Sequence, residues 1–550
     1  MDKILFIVSP NIQNEDFFKP SYNVRIVRKG KKDFGSVLTD MPIGVLSMSS
    51  FLKKHLKVET KLIDFNVTLN EMKEYSFGSF SELFESTLLG LKQTGYNPDI
   101  VGISTLFTSA YQNMLAIAKY CRKNFPFALI LAGGGVPTNM YKNIFQDSRD
   151  FDALCYGEGE KPLLKLLTFG DKKKYLDESP SWITRTKVEK NLVFKHDFLS
   201  DLDEIPFYDY GLFEKDKYSL NPAITAYAGV AEKKQNFHVM TSRGCTFRCI
   251  FCSSHTVHGR KMRYFSLKRV KEDLIRLRDE FGARVIVFQD DHLLADKERA
   301  HKIIHILKKL GLASVFQNGL ALYALDRRML LDLKSAGVDS LLLSIESGSS
   351  RVLKEIMHKP LDLKVVKRVA EDCRELEIYS SVNILIGLPG ETKKDIEEAI
   401  SFLKTLDANW FLVFCANPLV GSEMFDICVK KNYLKGEYIG SDYKKAVVET
   451  EDFTAEYIQE TAYRMNLELN FVYNSDLRLL DYKTALKGFE NAIKAKNDHA
   501  LAYYYASKCY AALGEKDKAK KYLELAKKFS KLPFWQKYVK LFKIPIENPD

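Results

Sequence analysis

Thr241-Ser242-Arg243-Gly244-Cys245-Thr246-Phe247-Arg248-Cys249-Ile250-Phe251-Cys252 places three of the chain's nine cysteines within eight residues, spaced C-x3-C-x2-C. Thiols do not gather this way by packing alone. Three thiolates supply three corners of an iron–sulfur cube and leave its fourth iron without a protein ligand, open to a substrate. Other readings compete. The spacing i, i+4, i+7 would line one helix face with small buried residues, and Cys245, Cys249 and Cys252 with His255 or His258 would make a closed zinc site. A disulfide is disfavoured by the absence of a secretory signal. The flanks bear on the choice: Phe237 to Thr241 reads as a strand, and Gly244 marks a turn directly after it.

Beyond the cysteines the pattern becomes strand–helix repeats. Strands are predicted at Arg284–Gln289, Ala313–Gln317, Asp339–Ile345, Tyr379–Ile386 and Trp410–Cys415. With Phe237–Thr241 they make six βα units over 233–435, a partial (βα)6 TIM barrel. Catalysis in such a barrel is expected at the carboxyl ends of the strands. Those ends carry Asp290-Asp291-His292, Asn318, Ser344-Glu346-Ser347, Asn383 with Gly387, and Asn417-Pro418. Glu391 and Asp326 suit helix caps equally well.

Upstream, residues 1–165 alternate β-branched runs with helical patterns, the signature of a Rossmann-like, doubly wound parallel sheet. The predicted strands are Lys3–Ser9, Thr60–Phe65, Asp99–Ser104, Ala128–Ala132 and Phe151–Tyr156. Their ends carry Asp64, Ser104-Thr105-Leu106, Gly133-Gly134-Gly135 and Gly157-Glu158-Gly159-Glu160, where an open α/β sheet takes its ligand. Three glycines there would let a ligand approach the backbone. G-x-G-x-x-G is missing, which argues against a nicotinamide or flavin cofactor. Glu158 and Glu160 also suit the positive end of the helix that follows.

Residues 166–232 read as a crossing linker, with prolines at 180, 206 and 222 and with Phe207, Tyr208, Tyr210 and Phe213 plugging an interface. After a helical extension over 436–470, residues 471–550 form an all-α tail. Ala485/Ala519, Phe489/Leu523 and Ala492/Ala526 repeat at 34 residues, the tetratricopeptide period. Ala506, Tyr510 and Gly514 fit the first helix of the second unit. Two such units cannot bury a core alone, so they dock on the barrel or on a protein partner.

At 550 residues the chain should hold two to four domains, and 46% hydrophobic with 28% charged residues is ordinary for a soluble protein. A reducing cytoplasm suits the scattered cysteines, and no apolar run is long enough for a membrane. The net charge of +11 lies in short lysine runs rather than in a phosphate track, so a nucleic-acid partner is disfavoured.

C-x3-C-x2-C with Phe251 before its last cysteine resembles the signature of the radical S-adenosylmethionine (SAM) enzymes. The resemblance implies a 4Fe-4S cluster on Cys245, Cys249 and Cys252. Its open iron would chelate SAM, and one electron, from a donor such as flavodoxin or ferredoxin, would release a 5′-deoxyadenosyl radical. It also implies SAM contacts from Phe251, Asp290, Asp291, Ser344, Glu346, Asn383 and Gly387, with Glu346 on the ribose. The N-terminal half is similar to the cobalamin-binding domain preceding many such cores. That likeness implies cobalamin contacts from Ser104, Thr105, Leu106, Gly133, Gly134, Gly135, Gly157 and Glu158. The D-x-H-x-x-G loop that supplies a cobalt-ligating histidine elsewhere is absent, which favours methyl transfer. The function expected is methylation of an unactivated carbon of a small-molecule substrate. A cobalamin-dependent cyclase, oxidation or rearrangement is the alternative, and a zinc-stabilised scaffold the alternative from another class.

Overall fold

The computed structural model describes residues 1–20, 26–218, 235–436, 438–439 and 445–546. In the N-terminal lobe, strands Asp2–Val8, Val58–Asp64, Ile100–Ser104, Leu129–Gly133 and Ala153–Cys155 pair in parallel, with Asp2–Val8 between Val58–Asp64 and Ile100–Ser104. Such central strands are buried on both faces, which is why Ile4, Leu5, Phe6 and Ile7 are all core residues with no polar alternation. The strand order reverses between Asp2–Val8 and Ile100–Ser104, the topological switch point at which a crevice opens.

The lobe runs further than its predicted boundary. Trp182–Ile183 adds a sixth, antiparallel strand beside Ala153–Cys155. Helices Lys172–Glu178 and Arg185–Glu189 flank it. The true crossing segment therefore starts after about residue 190. The two-residue strand is too short to announce itself in the sequence. The crossing segment's Tyr208 and Tyr210 are buried, and Tyr210 packs edge-on against Phe237 and Phe281. Pro222 lies outside the described residues.

The second lobe holds six parallel strands in two halves: Asn236–Val239, Val285–Phe288 and Ala313–Phe316, then Ser340–Glu346, Tyr379–Ile386 and Trp410–Cys415. Six strands leave the barrel open, so Trp410–Cys415 is an edge, and an edge invites unwanted pairing. The C-terminal region covers it. Asn470 gives Nδ2 to the Phe411 carbonyl at 2.7 Å and takes the Phe411 N–H at 2.7 Å. Asn466 does the same for Val413, at 2.9 and 3.1 Å. The match is metric. Four helical residues rise about 6 Å and two strand residues about 6.6 Å, so two asparagines one turn apart mimic a neighbouring strand.

Beyond this clamp, helices Tyr482–Ala495, Ala500–Ala512 and Lys516–Ser530 pack on one another and on Trp410. The residues repeating at 34 sit on the first and third of these, with Ala506 and Tyr510 on the second. The tail docks on its own barrel. No helix among the described residues is long and apolar enough to cross a membrane.

Candidate functional site

The cysteine loop leaves strand Asn236–Val239 through a two-residue ladder, Ser242–Arg243 against Arg263–Tyr264. Gly244 has φ +98°, and a Cβ there would lie 2.5 Å from the Lys261 carbonyl oxygen, so this corner requires glycine. The loop is pinned along its length. Cys245 N–H donates to Gly259 at 3.3 Å, Ile250 N–H to Met357 at 3.1 Å, and Cys252 N–H to Cys249 at 3.2 Å. No helix runs through it, so the cysteines do not line a helix face. All three remain half-buried and unbridged.

Burial pushes the Cys249 thiol up to about 11, against the pull of Lys359 and with help from Cys252 and Cys245. Cys245 is raised for the same leading reason. The three sulfurs thus share one field, and ligation of a metal would displace their protons. A single zinc is poorly served: His258 gives its Nδ1 to Glu158 at 2.9 Å. Among the described residues no three His, Cys, Asp or Glu side chains gather as one ion requires. Three unbridged thiols on one loop, each within electrostatic reach of another, are the donor set that a cube with one open corner takes.

Around this loop the barrel mouth supplies carboxylates and amides. Glu346 follows a register shift at the end of its strand and adopts φ +71°, a strained conformation for a residue with a Cβ. Its Oε1 lies 3.5 Å from Lys359 Nζ, and both groups act on Cys249. Phe251 stands with Lys359 Nζ 6.0 Å from its ring. Asp291 acts on Cys245, and its Oδ2 is buried without a hydrogen-bond partner, as is Asn383 Oδ1. These orphaned acceptors are what a polar cofactor would satisfy. Ser344 sits against Gly319, where a Cβ would approach its Oγ to 2.6 Å.

Two expected SAM residues are otherwise engaged. Asp290 accepts the Thr241 N–H at 3.1 Å, Thr241 Oγ1 at 2.8 Å and Ser242 Oγ at 2.6 Å. Its carboxylate is spent on anchoring the strand end that carries the cysteines. Gly387, at φ +89°, is packed by a side chain: a Cβ would lie 2.8 Å from Ile458 Cγ2. Its N–H donates to Glu391 Oε2 at 2.6 Å. Asp326 caps helix Arg327–Ser335, accepting from Met329 N–H.

The N-terminal crevice shows the same division. A Cβ on Gly134, φ +110°, would strike the Thr105 carbonyl oxygen at 2.5 Å, and one on Gly135 the Leu106 carbonyl at 3.0 Å. These glycines let two strand ends close together. Gly133 has open contact only to Cys155. Gly157, at φ +87°, is packed by His196. Thr105 Oγ1 lies 3.0 Å from Ser9 Oγ across the switch point, beside the end of the strand carrying Ser104. Leu106 and Phe107 keep 60% and 54% of their surface exposed at this mouth, an apolar face suited to a flat macrocycle. Tyr218, from the crossing segment, donates to Asp64 at 3.0 Å and ties that segment to the second strand's end.

Glu158, expected at the cobalamin, has its carboxylate joining the lobes. It is 6% exposed and meets Arg263 at 2.5 Å, Arg243 at 3.1 Å and His258 at 2.9 Å. Burial alone would raise its pKa, but Arg243, Arg263 and the hydrogen bond from His258 hold it well below the carboxylate range. Glu160 pairs with Arg243 at 2.7 Å and takes Ser47 Oγ at 2.5 Å. Sequence reading missed Arg243, although an arginine wedged between a strand end and the first cysteine was a visible signal. It also missed Arg299, which donates to the Thr241 and Phe265 carbonyls at 2.9 Å.

Three half-buried thiols on a barrel mouth, ringed by acceptors with nothing to accept, define a class. Residues 239–403 match the radical SAM superfamily. The chain is a radical SAM enzyme, with a 4Fe-4S cluster and SAM as cofactors. Residues 36–167 match the B12 binding domain. The chain thus belongs to the cobalamin-dependent radical SAM enzymes, and cobalamin is its third cofactor. The cytidylyl-2-hydroxyethylphosphonate methyltransferase of Streptomyces wedmorensis is 27% identical over 405 residues, 68% of this chain and 75% of that relative. The anaerobic magnesium-protoporphyrin IX monomethyl ester cyclase of Rubrivivax gelatinosus is 24% identical over 330 residues, 58% of this chain and 57% of that relative. In fold, the chain matches the cobalamin-dependent SAM radical enzyme OxsB with aqua-cobalamin and SAM bound. The TM-score is 0.60 at 14% identity, covering 100% of this chain and 80% of that one.

Proposed function

We propose that this enzyme transfers a methyl group to an unactivated carbon of a small-molecule substrate held between the two lobes. The cluster, SAM and cobalamin supply the radical and the methyl group; the chain supplies position and dryness. Cys245, Cys249 and Cys252 hold the cluster. Asp291, Asn383 and Ser344 face the SAM polar groups, Glu346 accepts from its ribose hydroxyls, and Phe251 meets its adenine. Leu106, with Ser104, Thr105 and Gly133, lines the corrin.

The observation that carries the reading is the buried bridge from Glu158 and Glu160 to Arg243. It fixes the crevice of one lobe against the cysteine loop of the other, as two cofactors acting on one substrate require. The absence of D-x-H-x-x-G favours methyl transfer over rearrangement, and the methyltransferase relative supports the same choice. An electron donor of the flavodoxin or ferredoxin kind reduces the cluster.

The test is anaerobic purification followed by a SAM-cleavage assay with candidate metabolites. Brown protein with about four irons, extractable cobalamin and a product heavier by one methylene supports the proposal. SAM consumption without that mass gain moves the reading to a cyclase or other radical reaction. One zinc and no colour removes it.

A further inference from the structure

A chain of polar side chains in the barrel lumen is absorbed by none of the cofactor sites. Asn236, His238, Val285, Val287, Ala313 and Val315 share the lumen face of their strands, two residues apart, and Gln289 and Gln317 continue that face past the strand ends. The valines and Ala313 form a buried apolar patch. Beside it, Gln317 Nε2 donates to Asp40 Oδ2 at 2.9 Å, Gln289 Nε2 to Gln317 Oε1 at 2.8 Å, and Gln289 Nε2 lies 2.8 Å from His238 Nδ1. Asp40 comes from the N-terminal lobe, ahead of its helix Ile43–His55. Both lobes therefore build this cluster.

The direction of every bond follows from one end. An ionised carboxylate only accepts, so Gln317 must present its amide nitrogen to Asp40 and its oxygen to Gln289. Gln289 then has its nitrogen toward both Gln317 and His238, and His238 Nδ1 must accept. The proton of the imidazole is forced onto Nε2. His238 is 1% exposed, and that Nε2 has no partner among the described residues; neither does Asp40 Oδ1. The two stand 4.0 Å apart, too far to bond each other. With Nδ1 accepting, the ring keeps this single N–H, and burial acts in the same sense by holding the imidazole pKa below its usual value against the pull of Asp40.

We propose that Asp40 and His238, oriented through Gln317 and Gln289, recognise a hydroxyl group on the substrate. This rests on the reading that the substrate lies between the lobes. One oxygen accepting from an N–H and donating to a carboxylate, with bonds of about 2.8–2.9 Å meeting at roughly a right angle, spans the observed gap. A keto oxygen leaves Asp40 unpaired, and an ammonium leaves the His238 N–H unpaired. A hydroxyl satisfies both, and a site built for a hydroxyl rejects the analogue that lacks it.

The test uses holoenzyme labelled with 15N-histidine, with His238 assigned by its disappearance in His238→Gln. The expected spectrum shows His238 protonated at Nε2 alone. In Asp40→Asn the terminal group can donate as well as accept, so the Nδ1–H form appears. Matched probes follow: 2-hydroxyethylphosphonate against ethylphosphonate, lactate against propanoate, and ethanolamine against ethylamine. The hydroxylated member of at least one pair should shift His238 Nε2 and bind about tenfold or more tightly, a preference lost in Asp40→Asn. An Nδ1–H tautomer in the unaltered protein overturns the proposal. So does equal binding within every pair, or no response of His238 to any probe, which would leave the gap to a bridging water. Iron, cobalamin and SAM cleavage, measured on the same sample, report separately on the methyl-transfer reading.

Discussion

Arg243 Nη2 lies 2.7 Å from Glu160 Oε1, linking the strand that feeds the cysteine loop to the helix that follows the GEGE turn of the other lobe. Both side chains are almost wholly buried, as are Glu158 and Arg263 beside them. Buried pairs of this kind contribute little against a hydrophobic isostere, but removing one partner strands the others without water.

Glu158→Gln therefore costs about 3–5 kcal/mol, read as a lower urea midpoint, and loosens the lobes enough to reduce cobalamin retained through gel filtration. The pH dependence carries the sign. The folded pKa of Glu158 is depressed because Arg243, His258 and Arg263 outweigh burial, so its contribution is complete above the unfolded value of 4.5 and is lost as pH falls toward the folded one. Urea midpoints of the parent and the variant should converge as pH drops below about 4.5. A gap that stays constant with pH refutes the assignment.

The opposite sign belongs to Glu391. Burial raises its pKa to about 8, although the Gly387 and Leu388 N–H groups pull it down. Its Oε1 has no partner among the described residues. A raised carboxyl pKa adds stability that is complete below the unfolded value of 4.5 and is lost as pH rises through about 8. Glu391→Gln keeps an acceptor for both N–H groups and removes the titration. The variant should match the parent at low pH and exceed it near pH 8, in thermal melts followed by circular dichroism.

Strand positions were legible in the sequence because, the short Trp182–Ile183 aside, the strands of both lobes' main sheets pair in parallel and are largely buried, so they stand out as apolar runs. Tyr379–Ile386 and Trp410–Cys415 fall where the pattern put them. The cysteine loop was legible because three thiols in eight residues have few causes. What the sequence hid was partnership. Asp290 and Asp291 are neighbours of the same type, yet one anchors Thr241 and the other is left open. Gly134 and Gly387 carry the mark of close approach, but the sequence does not say whether a ligand or the chain itself approaches. Arg243 with Glu158, and Asp40 with Gln317, lie 85 and 277 residues apart. No local pattern records such distances.

The asparagine clamp makes a direct prediction. Asn470→Leu leaves the N–H and carbonyl of Phe411 unpaired at a covered edge, at about 1–3 kcal/mol for each group. Hydrogen exchange at Phe411 should accelerate, with Val413 protected until Asn466 is changed as well. If Asn470→Leu leaves Phe411 exchange unaltered, the strand is held by packing and the clamp is incidental.

Gly488 tests the other half of that docking. It lies within helix Tyr482–Ala495, where alanine is intrinsically favoured by about 1 kcal/mol over glycine. A Cβ at this position would lie 2.6 Å from Cζ3 and 3.0 Å from Cε3 of Trp410, the first residue of the barrel's edge strand. Overpacking of this kind costs about 1–3 kcal/mol, which exceeds the propensity gain or cancels it. Gly488→Ala should therefore lower the melting temperature, or at best leave it unchanged. In a Trp410→Leu background the clash is gone and propensity alone remains, so the same substitution should stabilise. That change of sign is a coupling between the two positions that a double-mutant cycle measures directly. Additive effects would mean that the tail does not rest on the barrel through this contact.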